Sequence, residues 1–376
     1  MRYMLCLWLV SALVLPLAGC GSKTAKTAKT GSTKTQTEKT GRTVAPTKTK
    51  TPAKTAGKPS SDKGAAAPAA KNGLDLSVVT DEFVVAMVVH PAKLFGAPVF
   101  DDPEVKKKIA EGTSEIGVDP NTIVRGLLLM AAPGPGGKEP AMGMVLILNK
   151  EIDHDAVMKT LEVTAEKIEA DGRSYYKGIK KGKEKANFFY YPNPKTVVRS
   201  QDEAIFKKMM AGSGGSSPLC EQLGKVDLSH DIVAVVTMAP LRKPEVLEGA
   251  PLPVAMLIKG LDAAQITVDV TGDVPLAISM KAINAESAQA VEGMAKGQLA
   301  DGKKMVAAMA EDPLMGPMLL MFDAEIKGAL DNIMIAKTGT EVTVDFKIAK
   351  YLKAAAEKAK VLAKQAAKAP EGAKQP

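Results

Sequence analysis

The chain has 376 residues and a formal net charge of +8, with 45% hydrophobic residues but only 4% aromatic residues. The positive charge lies in two segments: residues 21–73 hold twelve Lys or Arg against two acids, and residues 349–376 hold seven Lys against two acids. Because these two segments and Arg2 together carry more positive charge than the net charge of the whole chain, a net charge of about −8 remains on residues 74–348. The basic total is therefore no argument for nucleic-acid binding, since the part long enough to fold is acidic.

The first residues have the pattern of an export signal. Arg2 supplies a positive charge, and an uncharged stretch then runs from Leu5 to Gly19. A membrane-spanning helix needs about 20 apolar residues, so this shorter stretch, with Pro16 near its end, favours a cleaved signal peptide over 1–19. The stretch closes on Leu17-Ala18-Gly19-Cys20, in which two small residues precede a thiol.

This run of four residues resembles the lipobox of bacterial lipoproteins. The resemblance covers the signal segment alone, and it implies cleavage between Gly19 and Cys20 and attachment of membrane lipid to the Cys20 thiol. Gly21 stands where Asp is the usual inner-membrane retention signal in Gram-negative lipoproteins. The resemblance thus implies a cell-envelope protein on the periplasmic side of the outer membrane, where the host has one. An ordinary signal peptide or an uncleaved membrane helix is the alternative.

Residues 20–73 are expected to join the lipidated Cys20 to the folded part as a disordered linker. The segment is rich in Lys, Thr, Ala, Gly and Pro and has almost no large apolar side chain. Such a composition buries too little apolar surface to offset the entropy of ordering, and like charges extend the chain. A soluble spacer is the favoured interpretation, and contact with anionic lipid or wall polymer is the alternative.

Alternating and continuous apolar runs predict a first α+β half over residues 74–212. The predicted strands are 83–89, 123–132, 141–148, 175–179, 186–191 and 196–199. One helix is predicted over 155–170, where Val157, Leu161, Ala165 and Ile168 form a stripe. A second is predicted to start at a capping box formed by Ser200 and Glu203 and to end near Gly212.

A Gly/Ser-containing connector over 213–229 leads to a second half over 230–348 with the same order of elements. Its predicted strands are 232–238, 265–270, 276–282, 333–337 and 341–348, with a helical region at about 285–330 that is broken near Pro313 and Pro317. The pattern predicts an α+β protein of two similar halves, each an antiparallel sheet with helices packed on one face, arising by duplication. Residues 349–376 are predicted to form a basic helical tail. The strand-then-proline openings and the Lys/Thr-rich linker also resemble uncharacterised planctomycete lipoproteins, which implies no activity.

No motif in the sequence indicates catalysis, a metal or a cofactor. The glycine-rich run 133–138 has neither the spacing nor the hydroxyl residue of a phosphate-binding loop. His90, His154 and His230 are far apart and lie outside any spaced metal motif, so turn-capping or partly buried roles are favoured for them. No nucleophile–base arrangement is evident either. The chain is therefore predicted to have no catalytic residues, no metal ligands and no cofactor.

The methionines near the second helical region offer one binding hypothesis. Met315, Met318 and Met321 are spaced by three, and Met305 and Met309 precede them. Thioethers suit cuprous ion and pliable apolar surfaces, so a ligand or partner groove competes here with plain core packing, which is favoured. Cys220 is the cysteine left after the signal and the anchor, and a packed thiol is predicted.

Together these features predict a membrane-anchored, extracytoplasmic lipoprotein with a non-enzymatic binding role. Its expected partner is an envelope protein, a wall polymer or an apolar ligand, and not nucleic acid. A structural or spacer role in the envelope is the first alternative, and an unrecognised hydrolase is the second.

Overall fold

The computed structural model describes residues 74–96, 118–134, 139–161, 163–170, 172–180, 186–212, 214–248, 250–270, 272, 274–313 and 316–368. These residues combine helices with one antiparallel sheet of 12 strands. The predicted α+β class is therefore confirmed. The signal segment, Gly19, Cys20 and the linker lie outside the described residues.

The strands follow the predicted positions closely, with one addition. In chain order they are β1 Phe83–Val89, β2 Ile123–Ala131, β3 Met142–Leu148, β4 Val163–Ala170, β5 Arg173–Lys180, β6 Ala186–Asn193, β7 Thr196–Ser200, β8 Ile232–Thr237, β9 Leu261–Val268, β10 Leu276–Ala282, β11 Ile333–Thr338 and β12 Glu341–Phe346. From edge to edge they lie in the order β11-β12-β10-β9-β8-β1-β2-β3-β7-β6-β5-β4.

The helices of the described residues are short except for two. They are α1 Pro91–Phe95, α2 His154–Thr160, α3 Glu203–Ala211, α4 Pro218–Lys225, α5 Pro244–Leu247, α6 Leu252–Gly260, α7 Ala285–Glu311, α8 Gly316–Leu320, α9 Asp323–Asp331 and α10 Ala349–Lys368. Helix α4 lies inside the stretch for which the sequence predicts a plain connector.

A seam between β1 and β8 joins the two halves of the sheet. These strands pair antiparallel, from Val85 opposite Val236 to Val89 opposite Ile232. Outward from the seam, β1-β2-β3-β7-β6 on one side corresponds in order to β8-β9-β10-β12-β11 on the other. The expected two sheets are instead one sheet, because the apolar first strand of each half takes the other as its neighbour.

In the first half, helices cover both faces of the sheet, which differs from the expectation of helices on one face of each half; in the second half, beyond the seam, the described helices pack on one face. On the first face, α3 and α4 pack on the seam and the first half, in a cluster that includes Ala86, Leu127 and Val198. On the second face, α2 packs on the first half around Val197, and α6 and α7 pack on the second half around Val344. Because neighbouring strand residues point to opposite faces, Val197 and Val198 can each lie in a different core.

The predicted helix over 155–170 is wrong in its second part. Helix α2 ends at Thr160, and the chain then forms β4, which pairs with β5 from Val163 opposite Lys180 to Ala170 opposite Arg173. An edge strand with charged side chains on both faces resembles a polar helix in sequence, so its period is ambiguous. The N-cap of α3 also differs: the Asp202 side chain accepts a bond from Ile205 N (2.9 Å), while Ser200 Oγ accepts one from Asp202 N.

Helix α10 docks on α9 rather than extending freely. Asn332, just after α9, donates to the Tyr351 hydroxyl (2.9 Å), and Lys358 lies 3.4 Å from the Glu325 carboxylate. Gly328 permits this approach, because a Cβ at that position would overlap the Tyr351 ring. Leu352 and Val361 stay exposed, so polar contacts and one aromatic ring make most of the described contact.

Gly328→Ala is expected to release α10 from α9. At a solvent-exposed helix position this change stabilises the helix by about 0.5–1 kcal/mol. Faster hydrogen exchange in α10 would therefore be due to the clash with Tyr351 and not to a weaker α9. Hydrogen exchange of residues 349–368 should quicken, with a small shift in melting temperature. Gly293→Ala in α7, where a Cβ meets open space, is the matched control. Unchanged exchange in Gly328→Ala would contradict the docking.

Candidate functional site

The second half leaves the first face of its sheet uncovered by any helix within the described residues. We call this surface the open face, formed by alternate residues of β9 to β12: Ala263, Gln265, Thr267, Ala277, Ser279, Lys281, Met334, Ala336, Thr338, Glu341, Thr343 and Asp345. Their neighbours in sequence point to the opposite face and pack under α6 and α7. The alternation of apolar and polar side chains thus separates a buried face from a solvated one.

A shallow depression of about 400 Å³ lies on the open face beside α4. Gln222 and Lys225 of α4 form one wall, the turn between β11 and β12 forms the other, and Gln265 and Ser279 lie in the floor. Ser279 Oγ donates to Glu341 Oε1 (2.6 Å). The depression is therefore lined by hydroxyl, amide, ammonium and carboxylate groups that a bound partner could contact.

The chemistry of the open face suits binding. None of its residues is a histidine or a cysteine, and the Glu341 carboxylate accepts a hydrogen bond from the Ser279 hydroxyl. Lys281 lies 3.8 Å from Asp262. A polar surface of mixed charge recognises extended or flat partners through many hydrogen bonds.

The structure brings His90 and His230, distant in sequence, to the same end of the seam. His90 is buried, and its Nε2 donates to Leu228 O (2.8 Å), while its backbone N–H donates to Asp231 O (2.9 Å). His230 Nδ1 donates to Asp269 Oδ2 (2.6 Å), and the Asp231 carboxylate accepts a bond from Val270 N. Each histidine therefore fixes the loop before β8; the bonds of His90 were not predicted from the sequence because they join the first half to this distant loop.

Acidification is expected to weaken the fold through His90. Burial lowers the pKa of His90, and Arg125 and Lys93 add to this, while the bond to Leu228 and the charge of Asp231 oppose it. The unfolded chain takes up a proton as the pH falls through about 6.5, whereas the folded chain does so only at lower pH. The free energy of unfolding therefore falls as the pH drops through that window, and the loss ends below the folded pKa. Urea unfolding at neutral and mildly acidic pH should show a smaller loss in His90→Gln, and equal losses would contradict this.

The third histidine belongs to an aromatic group on the second face. The His154 ring stacks on Tyr191 with centroids 3.8 Å apart, and Tyr176 meets Tyr191 edge-on at 5.9 Å. The Tyr191 hydroxyl is buried without a hydrogen-bond partner, and burial raises its pKa. Within the part of the chain that the structure describes, no group of three or more His, Cys, Asp or Glu residues could hold a metal ion.

The methionines of the binding hypothesis lie on the surface wherever their side chains are described. Met315 lies outside the described residues, and Met318 belongs to α8 without a described side chain. Met321 is 41% exposed, and Met305 and Met309 on α7 are 55% and 38% exposed. These three side chains are thus not in the core that the sequence favours for them.

Cys220 is a packed thiol in α4. It is 2% exposed, its Sγ lies 3.9 Å from Leu76 O, and burial raises its pKa. A thiol that is protonated and shielded from solvent is unreactive.

A membrane-spanning helix would need a long run of apolar residues, and none of the described helices has one.

The chain has little detectable likeness to known proteins. No family model matches the chain, and no curated protein matches it. A solved structure of TP0453, in its crystal form I, is similar over 77% of this chain and 98% of its own, at 9% identity and a TM-score of 0.39. A likeness this distant identifies neither a family nor an activity.

Proposed function

We propose that the chain is a lipid-anchored extracytoplasmic protein that binds an envelope partner protein and catalyses no reaction. The lipobox-like run ending at Cys20 supports the anchor. The open face supports the binding role: it is broad, polar and of mixed charge, and its depression is shallow. A flat surface of this kind suits a protein partner better than a small apolar ligand, which needs an enclosed apolar pocket.

We infer further that the two halves arose by duplication. The correspondence of strand order on the two sides of the β1–β8 seam supports this. In the first half, α3 and α4 cover the first face, and the second half has no counterpart on that face among the described residues. One half then stabilises the fold while the other presents a free surface.

Site-specific photo-crosslinking tests the binding role. A photoreactive amino acid replaces Thr343 on the open face, and in a matched variant it replaces exposed Thr164 on β4, at the far edge of the sheet. Irradiation of native membranes is expected to give a discrete protein adduct from position 343 and none from 164. The adduct should be lost when Lys281→Glu and Gln265→Arg are added, because both alter the recognised surface.

Other outcomes count against the proposal. Adducts that form equally at both positions indicate non-specific collision. Sedimentation of the purified protein with isolated wall polymer, without a protein adduct, favours a polymer-binding protein. The absence of either favours the spacer role.

A further inference from the structure

The two edges of the sheet differ in how they are protected against pairing. At one edge, β4 carries the exposed charges Glu166, Lys167 and Glu169. At the other edge, β11 reads Ile-Met-Ile-Ala before its single charge, Lys337. Charged side chains on an edge strand oppose the addition of another strand, so β4 is protected and β11 is not.

The hydrogen bonds of β11 show which of its peptide groups remain free to pair. Lys347 N donates to Asn332 O (3.2 Å), just before the first residue of the strand. In an antiparallel pair, hydrogen-bonded residues alternate with residues whose peptide groups point away. The peptide groups of Met334, Ala336 and Thr338 therefore bond to β12. The two-residue turn after Thr338 agrees with this, because such a turn is closed by a hydrogen-bonded pair, here Thr338 and Glu341. The peptide groups of Ile333, Ile335 and Lys337 point outward, and no described strand pairs with them.

This outward set is self-complementary. If two copies of β11 run antiparallel about Ile335, Ile333 of each copy faces Lys337 of the other, and Ile335 faces Ile335. The residues with free peptide groups thus meet one another in register. On the open face, Met334 (50% exposed) meets Ala336, and no like charges stand opposite. On the other face, the Glu292 carboxylate of α7 lies 2.7 Å from Lys296 and 3.9 Å from Lys337, so an acidic group stands near the Lys337 charge.

We propose that β11 is a dimerisation edge, at which a second copy of this chain continues the sheet across a twofold axis. The two open faces then form one continuous surface. One six-residue edge buries less area than a stable interface needs, so the dimer is weak and concentration-dependent. Attachment of both copies to one membrane raises their effective concentration and favours pairing.

Charge-swapped variants test this edge without disturbing the core, since Met334 and Ala336 are exposed. Sedimentation velocity of unlipidated Cys20→Ser protein is expected to show a monomer–dimer equilibrium. M334E combined with A336E should abolish the dimer, because glutamates then face each other across the axis. The lysine variant, M334K combined with A336K, should also be monomeric on its own. A mixture of the glutamate and lysine variants should associate again, because opposite charges then face each other. Ala165→Glu on β4 is the control and should leave dimerisation unchanged.

Disulfide trapping tests the register. An oxidised mixture of Met334→Cys and Ala336→Cys proteins should give a covalent dimer, whereas Met334→Cys alone should give little, because position 334 lies opposite position 336 of the other copy and not opposite its position 334. A chain that stays monomeric at all accessible concentrations, or dimers that persist in the glutamate variant, would overturn the proposal. Failure of the dimer leaves the crosslinking experiment at Thr343 unaffected.

Discussion

Cys20→Ser is expected to abolish lipid labelling of the chain and to leave it as precursor or as protein washed from the membrane. The expectation rests on the Leu17-Ala18-Gly19-Cys20 run, whose resemblance to a lipobox implies attachment of lipid to the Cys20 thiol. Buried methylenes contribute about 0.8 kcal/mol each, so several acyl chains hold a protein at the membrane almost permanently, and their loss releases it. The measurement is incorporation of a labelled fatty acid, followed by fractionation in high salt.

Cys220→Ser is the matched control for this result. The Cys220 thiol is buried in α4, so its loss should leave lipid labelling intact. Retention of the Cys20→Ser chain in salt-washed membranes would show that residues 1–19 stay in place as an uncleaved helix.

Phe206→Ala is expected to cause a large loss of stability in the first half of the sheet. The ring is fully buried on α3, and its centroid lies 5.3 Å from that of Tyr175 and 5.6 Å from that of Phe188. Met210 completes the cluster. Removing a buried aromatic ring costs about 3–5 kcal/mol through lost burial and the cavity that remains. Urea unfolding should show this loss with an unchanged slope.

Leu252→Ala is the control, because Leu252 is 75% exposed on α6 and should cost almost nothing. A small loss in Phe206→Ala would show that the sheet closes over the cavity. It would then place the main stability of the first half in the cluster around Leu127 and Met209 instead.

The central strands were predictable because a strand that is buried on both faces needs a continuous run of apolar residues. The predicted strand 83–89 has the bounds of β1, and the hairpin over 123–148 is β2 and β3. At the periphery the signal failed: β4 faces solvent, and its charges suit a helix equally well. Local pattern therefore identifies apolar strands, including the edge strand β11, better than a charged edge strand such as β4.

Four of the described helices, α1, α4, α5 and α6, were not predicted from the sequence, and the two longest of them were missed for different reasons. Helix α4 has a clear start, with the Ser217 side chain accepting from Cys220 N (3.1 Å) and Pro218 in the first turn, but the preceding glycines indicate a loop. Helix α6 is apolar almost throughout and follows Pro251, so its sequence lacks the alternation of apolar and polar positions that indicates an amphipathic helix.

The candidate site was less predictable than the fold. The alternation of apolar and polar residues in β9, β10 and β12 can be recognised in the sequence, but it does not predict which face of the sheet a helix distant in sequence will cover. That choice depends on α4, which arrives from before the second half and stops at Lys225, beside the depression. Likewise, the exposure of the β11 edge follows from strand order, and strand order is a property of the whole chain.

The seam between β1 and β8 has a consequence for how an exported chain reaches its native state. A chain that is secreted with its N-terminus first presents β1 early, with one side able to pair with β2 at once. The other side must wait for β8, which begins only at Ile232. During that interval β1, an apolar strand, forms an unpaired edge of the incomplete sheet, where it is open to incorrect pairing. For a chain that is exported as proposed above, folding of the first half alone leaves this edge of β1 exposed until the second half follows.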